Sequence, residues 1–247
     1  MQNKYIYIVA TPIGNLKDIT LRAIEILKEV DYIAAEDTRT SQKLLNHYQI
    51  KKPLISLHKF NEQKAAQKII DLVEEGNDLA LISDAGTPLI SDPGNLLIKL
   101  ARENNIEIRS IPGPSALTSI IALSGFSTPI TFLGFLKDKT GQRQKQIASL
   151  IEGTYVIYVA PHKLRSTLED VVNFLNPNLQ HQIFLAKELT KKFEKHYFGN
   201  AHDILLQLPE NIKGEYSLAI FVYQNKITKE KNNKYSKYSK NVLKEYN

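Results

Sequence analysis

Short runs of aliphatic and β-branched residues alternate with amphipathic runs of helical period along most of the chain, and this rhythm limits the available folds more than any other feature. "KYIYIVA" (4–10), "DYIAAE" (31–36), "PLISL" (53–57), "DLALIS" (78–83) and "IEIRSI" (106–111) have the length and residue types of buried strands. Between them, Leu21, Ile24 and Leu27 share one helical face, as do Ala65, Ile69, Leu72 and Val73. Strands separated by helices of this length need crossover connections, which are right-handed and produce a mainly parallel sheet. Beyond residue 113 the rhythm changes. "ITFLGFL" (130–136), "TYVIYVA" (154–160), "HQIFLAKE" (181–188), "FEKHYFG" (193–199) and "EYSLAIFV" (215–222) are strand-like. The third and fourth leave no room for a helix between them, so they read as a hairpin and the second sheet as mixed. Helices in this half are signalled by Pro161 as a first-turn proline and Asn200 as a cap. The expectation is a two-domain α/β chain: a parallel-sheet domain over 1–113, a mixed-sheet domain over 114–225 and a basic tail over 226–247.

Ligands of open parallel sheets bind beyond the carboxyl ends of the strands, and the loops there carry more than a turn requires. "ATPIGNLKDIT" holds Pro12 and Gly14, with Asp18 or Thr20 to cap the next helix. It is neither a G-x-G-x-x-G fingerprint nor a P-loop, which disfavours dinucleotide enzymes and P-loop NTPases. "AAEDTRT" brings Glu36, Asp37 and Arg39, which can orient a polar ligand or serve a helix cap. "SDAGTPLISDPG" (83–94) places Asp84 at a strand end, Gly86 where backbone can approach a ligand, and Asp92-Pro93 as cap and first-turn proline. Asp84 and Asp92 lack the further ligands that a magnesium site needs, so no metal is expected. "IPGPSALTS" turns at Pro112, Gly113 and Pro114, with Ser115 as the next cap. "SLHKFNE" adds His58, Glu62 and Asn61, the last a natural helix cap, and "AKELTKK" adds Lys187, Glu188, Lys191 and Lys192 at a hairpin end.

The absence of cysteine removes disulfides, thiolate metal sites and cysteine nucleophiles from consideration. With no signal-peptide pattern and no uncharged apolar run of spanning length, the expectation is a cytoplasmic protein without a membrane segment. The net charge of +6 sits mostly in one place, because residues 226–247 hold seven lysines and two glutamates and leave +1 for the rest. Lysines interleaved with tyrosines suit phosphate contact and base stacking, the alternative being a solvated tail with no specific role.

In order, "TPIGNLKDITLRA", "AAEDTR", "HKFNE", "SDAGTPLISDPG", "PGPSA", "GFL", "APHKL", "AKELTK" and "KGEY" resemble the ribosomal RNA-modifying branch of the tetrapyrrole methylase superfamily, over about residues 4–222. The resemblance implies a tetrapyrrole methylase-like fold with S-adenosylmethionine in a cleft between two domains, usually as a homodimer. It implies methyl transfer to the ribose 2'-oxygen of a cytidine in 16S rRNA, free or within the small ribosomal subunit. Carried over by motif, the cofactor would touch Pro12, Gly14, Asp84, Ala85, Gly86, Ile90 and Asp92, then Ser115 and Ala116, then Tyr158, Val159 and Ala160. Such a transfer needs a group to take the hydroxyl proton, for which Asp37, Glu62 and Glu188 are candidates, with Arg39 and Lys187 as RNA-binding partners. The chain departs from the family pattern in carrying Val159-Ala160 where Glu-Ser is common, and Lys137-Asp138-Lys139 where Pro-Arg-Lys is common. Two other readings share these residues: a methyltransferase acting on a corrin or porphyrin precursor, and a non-catalytic ribosome assembly factor.

Overall fold

Each strand-like run forms a strand. In a computed structural model that describes residues 5–224, β1 (Tyr5–Val9), β2 (Tyr32–Ala35), β3 (Leu54–Ser56), β4 (Leu79–Ile82) and β5 (Glu107–Ile111) form one sheet in the order β3-β2-β4-β1-β5, every pair parallel. The lysine-rich segment 226–247 lies outside the described residues. Side chains alternate across the strands, and both faces are apolar. Val9, Ile33, Ala80 and Ile82 pack under α1 (Leu21–Glu29) and α2 (Thr38–His47), while Ile6, Ala34, Leu79 and Leu81 pack under α3 (Glu62–Glu74) and α4 (Asn95–Glu103). Burial on two faces explains why "LALI" shows no alternation of polarity.

The second sheet has the order β6-β7-β10-β8-β9, from β6 (Ile130–Phe135), β7 (Gly153–Val159), β8 (Leu179–Lys187), β9 (Lys195–Gly199) and β10 (Tyr216–Gln224). β6 and β7 are parallel and the remaining pairs antiparallel, β8 and β9 being the expected hairpin neighbours. One face is covered by α6 (Thr140–Ala148), α7 (Pro161–Phe174) and α8 (Ala201–Gln207), over a core that includes Ile157, Leu185, Leu218 and Ile220. On the other face, Val156, Phe184, Ala186 and Ala219 meet α5 (Ala116–Ser124) together with Ile13 and Leu189. Ile13 comes from the first sheet's opening loop, so this cluster joins the two sheets. Among the described residues no helix is long and apolar enough to cross a membrane.

Several caps stand where the sequence puts them. Thr20 accepts from the Ala23 N–H, Asp37 from Arg39 and Asn200 from Asp203, and Pro161 opens α7. Three do not. Asp92 is not the cap of α4, because left-handed backbone at Ser91 (φ 75°) and Gly94 (φ 121°) delays the helix to Asn95. Its cap comes from α3, where Glu62 Oε1 accepts from the N–H groups of Gly94 (2.9 Å) and Leu96 (3.1 Å). Asn61 precedes α3 but spends its side chain on the His58 N–H and the Ser56 carbonyl, bracing the loop. Ser115 holds the cap position of α5 without a side-chain bond to its first turn.

Candidate functional site

The loops after β1 and β4 meet where the parallel sheet changes its direction of winding. In the order β3-β2-β4-β1-β5, β1 connects through α1 past β4 and β4 connects through α4 past β1, on opposite faces of the sheet, so their two loops cross at its carboxyl edge. Thr11 and Gly86 pin the loops together with reciprocal backbone bonds of 2.8 and 3.0 Å. The Thr11 hydroxyl donates to the Ser83 carbonyl (3.1 Å), and the Ser83 hydroxyl oxygen lies 3.3 Å from the Gly86 carbonyl. Both backbone groups of Gly86 are therefore engaged within the protein, while the residue itself lines the cavity beside this bridge. Glycine is required by its φ of +80° and by Ile13, whose Cγ2 would lie 3.3 Å from an added Cβ.

A cavity of about 360 Å³ opens beside this bridge, within the roughly 300–1,000 Å³ usual for small-molecule sites. The β4–α4 loop lines it with Ala85, Gly86, Ile90 and Asp92, the start of α5 with Ser115 and Ala116, and the end of β7 with Tyr158, Val159 and Ala160. Pro12, Gly14 and Asp84 do not line it. Gly14 instead leaves room for the Lys191 side chain and the Leu189 carbonyl, seating the β8–β9 loop over the first loop. Asp84 accepts the Asp37 N–H at 3.1 Å. Ile13, Phe135, Leu189 and Glu215 also line the cavity, and the sequence reading did not include them. The available signal was an apolar residue inside an otherwise polar strand-end loop, as at Ile13 and Leu189. Lys137, Asp138, Val159 and Ala160, the departures from the family pattern, share the lining of one adjoining cavity of about 80 Å³.

Left-handed backbone at non-glycine residues gathers here. Leu89 (φ 73°) and Ser91 (φ 75°) lie in the β4–α4 loop, and Glu188 (φ 53°) and Thr190 (φ 65°) in the β8–β9 loop; Gln49 and Asn105 follow helices. Each costs on the order of 1 kcal/mol and persists where surrounding contacts dictate it.

Four carboxyl groups stand at the carboxyl edge of β2 and in the β4–α4 loop, in unlike environments. Burial, then the Glu36 charge, pushes Asp92 up to about 7, against an opposing hydrogen bond from Ser83. Burial also raises Glu36, with Asp84 adding to it, and burial raises Asp84. Burial, seconded by Asp92 and opposed by the Leu117 backbone, raises the Tyr158 phenol, which stays protonated near the Asp92 carboxyl. Asp37 is the opposite case. Its hydrogen bonds from the Arg39 side chain (2.8 and 3.1 Å) and N–H hold it at about 2.

These environments revise the three candidate bases. Asp37 is held ionised by Arg39 and accepts a proton poorly. Glu62 is committed to the N-terminus of α4. At Glu188 burial works upward, yet the Glu215 N–H (2.7 Å) and Lys191 (3.2 Å) outweigh it and leave the carboxyl below its ordinary range. Among the described residues Asp92 combines a place in the cavity wall with a carboxyl pushed up to about 7. Of the two residues expected to meet RNA, Arg39 is largely exposed in its pair with Asp37, and Lys187 ends β8 opposite Tyr216 and Lys195. Among the described residues no group of three or more histidine or carboxylate side chains is placed to hold a metal ion.

A family model described as Tetrapyrrole (Corrin/Porphyrin) Methylases matches residues 5–205. Among solved structures, uroporphyrin-III-C-methyltransferase from Thermus thermophilus superposes with a TM-score of 0.64 at 17% identity, covering 89% of this chain and 94% of that one. A diphthine synthase superposes with a TM-score of 0.66 at 12% identity, covering 87% and 89%. Identities this low establish the fold alone, a parallel and a mixed sheet joined in one chain. The chain belongs to the tetrapyrrole methylase family. Its similar relatives within that family include the Ribosomal RNA small subunit methyltransferase I of Mycoplasmopsis pulmonis, 54% identical over 220 residues (89% of this chain, 98% of the relative), and that of Synechocystis, 45% identical over 219 residues (87% and 78%).

Proposed function

We propose that this methyltransferase uses S-adenosylmethionine to methylate the ribose 2'-oxygen of a cytidine in 16S rRNA. The observation that carries the substrate is the 54% identity, across nearly the whole of both chains, to a relative whose name specifies small-subunit ribosomal RNA. The cofactor reading rests on the family and on a structural neighbour, a uroporphyrin-III C-methyltransferase complexed with S-adenosyl homocysteine. The residues of the cavity fit it. Ile13, Phe135, Tyr158 and Leu189 offer apolar and aromatic surface to a heteroaromatic ring, and Asp92 offers a carboxylate to a sulfonium cation. When bound, S-adenosylmethionine supplies an electrophilic methyl group.

The chain's own contribution is to hold donor and hydroxyl in line, exclude water, and receive one proton. In this reading Asp92 takes that proton from the ribose hydroxyl, with Tyr158 as a neutral donor that fixes the carboxyl's orientation. Residue 113 is taken as the boundary between the two domains, because α5, just beyond it, packs on the second sheet. A homodimer acting in the cytoplasm belongs to the same proposal. Its supporting feature is the aromatic group Phe126, Phe198 and Phe221 on the second sheet's α5 side, with Phe198 half exposed.

Incubating the purified protein with tritiated S-adenosylmethionine and small subunits from cells lacking the modification tests the reading. Label in the 16S rRNA is the expected result. Cofactor binding without transfer to any RNA favours the non-catalytic assembly factor.

A further inference from the structure

Two phenylalanines stand out in water beside the cleft. Phe60 is 85% exposed at the tip of the β3–α3 loop, and Phe193 is 72% exposed at the tip of the β8–β9 loop. Each follows a lysine whose ammonium lies over its ring, Lys59 at 4.8 Å and Lys192 at 5.6 Å from the centroid. Both loops adjoin segments that line the cavity. Leu189 of the β8–β9 loop lines the cavity, and Lys191 is seated against Gly14 of the first loop. On the other side, the β3–α3 loop leaves the carboxyl edge of the parallel sheet and runs into Glu62, whose carboxyl accepts from the N–H groups of Gly94 and Leu96, which follow the cavity-lining residue Asp92. The two Lys-Phe pairs thus stand on loops that adjoin the cavity's lining segments, one from each sheet.

An isolated exposed aliphatic side chain needs no explanation. A water-exposed aromatic face beside a cation is different, because it matches a nucleotide part by part: the ring can stack on a base and the ammonium can meet the adjoining phosphate. RNA is read mainly as unstacked single strand, whose bases are taken up on aromatic side chains. We infer that Phe60 and Phe193, each with its lysine, are stacking platforms at the cleft mouth for single-stranded RNA, gripping the nucleotides on either side of the target ribose. The inference rests on the RNA substrate proposed above and assigns the residues that position it. Neither ring touches the cavity, so neither contributes to cofactor binding.

The test uses full-length protein, a fluorescent single-stranded RNA oligonucleotide carrying the target sequence, and S-adenosylmethionine calorimetry as the control. Phe60→Ala and Phe193→Ala each weaken RNA binding about tenfold, leave cofactor affinity unchanged, and leave the slope of log affinity against log salt unchanged. Lys59→Ala and Lys192→Ala flatten that slope by about 0.7 each, as loss of one phosphate contact to a single strand requires. Phe60→Trp and Phe193→Trp retain affinity, whereas Phe60→Leu and Phe193→Leu do not. Wild-type protein that binds and methylates RNA, with alanine variants that bind it equally well, overturns the inference and leaves the functional reading intact. Leucine variants as good as wild type assign the rings to an apolar protein contact and also overturn it. A wild-type protein that methylates neither this RNA nor small subunits overturns the functional reading, and the inference with it; one that methylates subunits but does not bind the single strand overturns the inference alone.

Discussion

At Asp92 a carboxyl group lies in a cavity wall with its proton affinity shifted to about 7, and both its stability effect and its chemistry follow from that shift. The folded-state value lies above the unfolded one near 3.9. Protonated Asp92 therefore contributes stability that is fully present below the unfolded value and is lost as pH rises through about 7. The thermal midpoint of the free protein should fall between about pH 6 and about pH 8, and Asp92→Asn should remove that fall; an equal fall in the variant assigns it to other groups. In the proposed reaction catalysis runs the other way, since the ionised form would receive the proton. Methyl transfer rises with pH over the same window, and Asp92→Asn lowers the rate about a hundredfold or more while flattening the profile. A variant with wild-type turnover and profile removes Asp92 from the chemistry. Gly86 is a different kind of residue, fixed by its own backbone and by Ile13. Gly86→Val strains a φ of +80° and drives a side chain into the Ile13 wall, so calorimetry should find S-adenosylmethionine binding lost. Normal affinity places the cofactor elsewhere.

Between elements, two polar contacts hold what apolar packing does not. Glu62 of α3 caps α4, the helix that follows the cavity loop, and Glu62→Ala should cost about 1–2 kcal/mol in chemical denaturation while leaving cofactor affinity within a few-fold. Arg143 Nε meets Asp170 Oδ2 at 2.6 Å between α6 and α7, both side chains buried. Arg143→Ala leaves a buried carboxylate unpaired and should cost about 3–5 kcal/mol; a loss under about 1 kcal/mol would mean the pair is solvated. The same two contacts mark where the sequence was hard to read. All ten strands among the described residues are legible in the sequence, because buried apolar runs declare themselves locally. α6 is not, since the side chains it buries are Arg143 and Ile147, which give no apolar stripe for periodicity to detect. The start of α4 was misplaced at Asp92 because its cap is supplied from another helix. The cavity loop was legible for a similar local reason, its Gly, Pro and Asp residues being adjacent in sequence. Ile13, Phe135 and Leu189 were missed because their role exists only once the two sheets have met.

The whole molecule works through that meeting. Ile13 from the first sheet's opening loop and Leu189 from the β8–β9 loop enter one apolar cluster with α5 and the second sheet, and both also line the cavity. The contacts that fasten the two sheets are thus partly those that shape the binding site, so cofactor and interface should support each other. The central claim is that this cleft transfers a methyl group to a ribose hydroxyl of small-subunit RNA. The most direct test is nucleoside analysis of 16S rRNA after reaction of unmodified small subunits with S-adenosylmethionine and either the wild-type protein or Asp92→Asn. The wild type should yield 2'-O-methylcytidine and the variant a sharply reduced amount. A methyl group found on a base, or no methylated nucleoside from a wild-type protein that binds the cofactor, would contradict it.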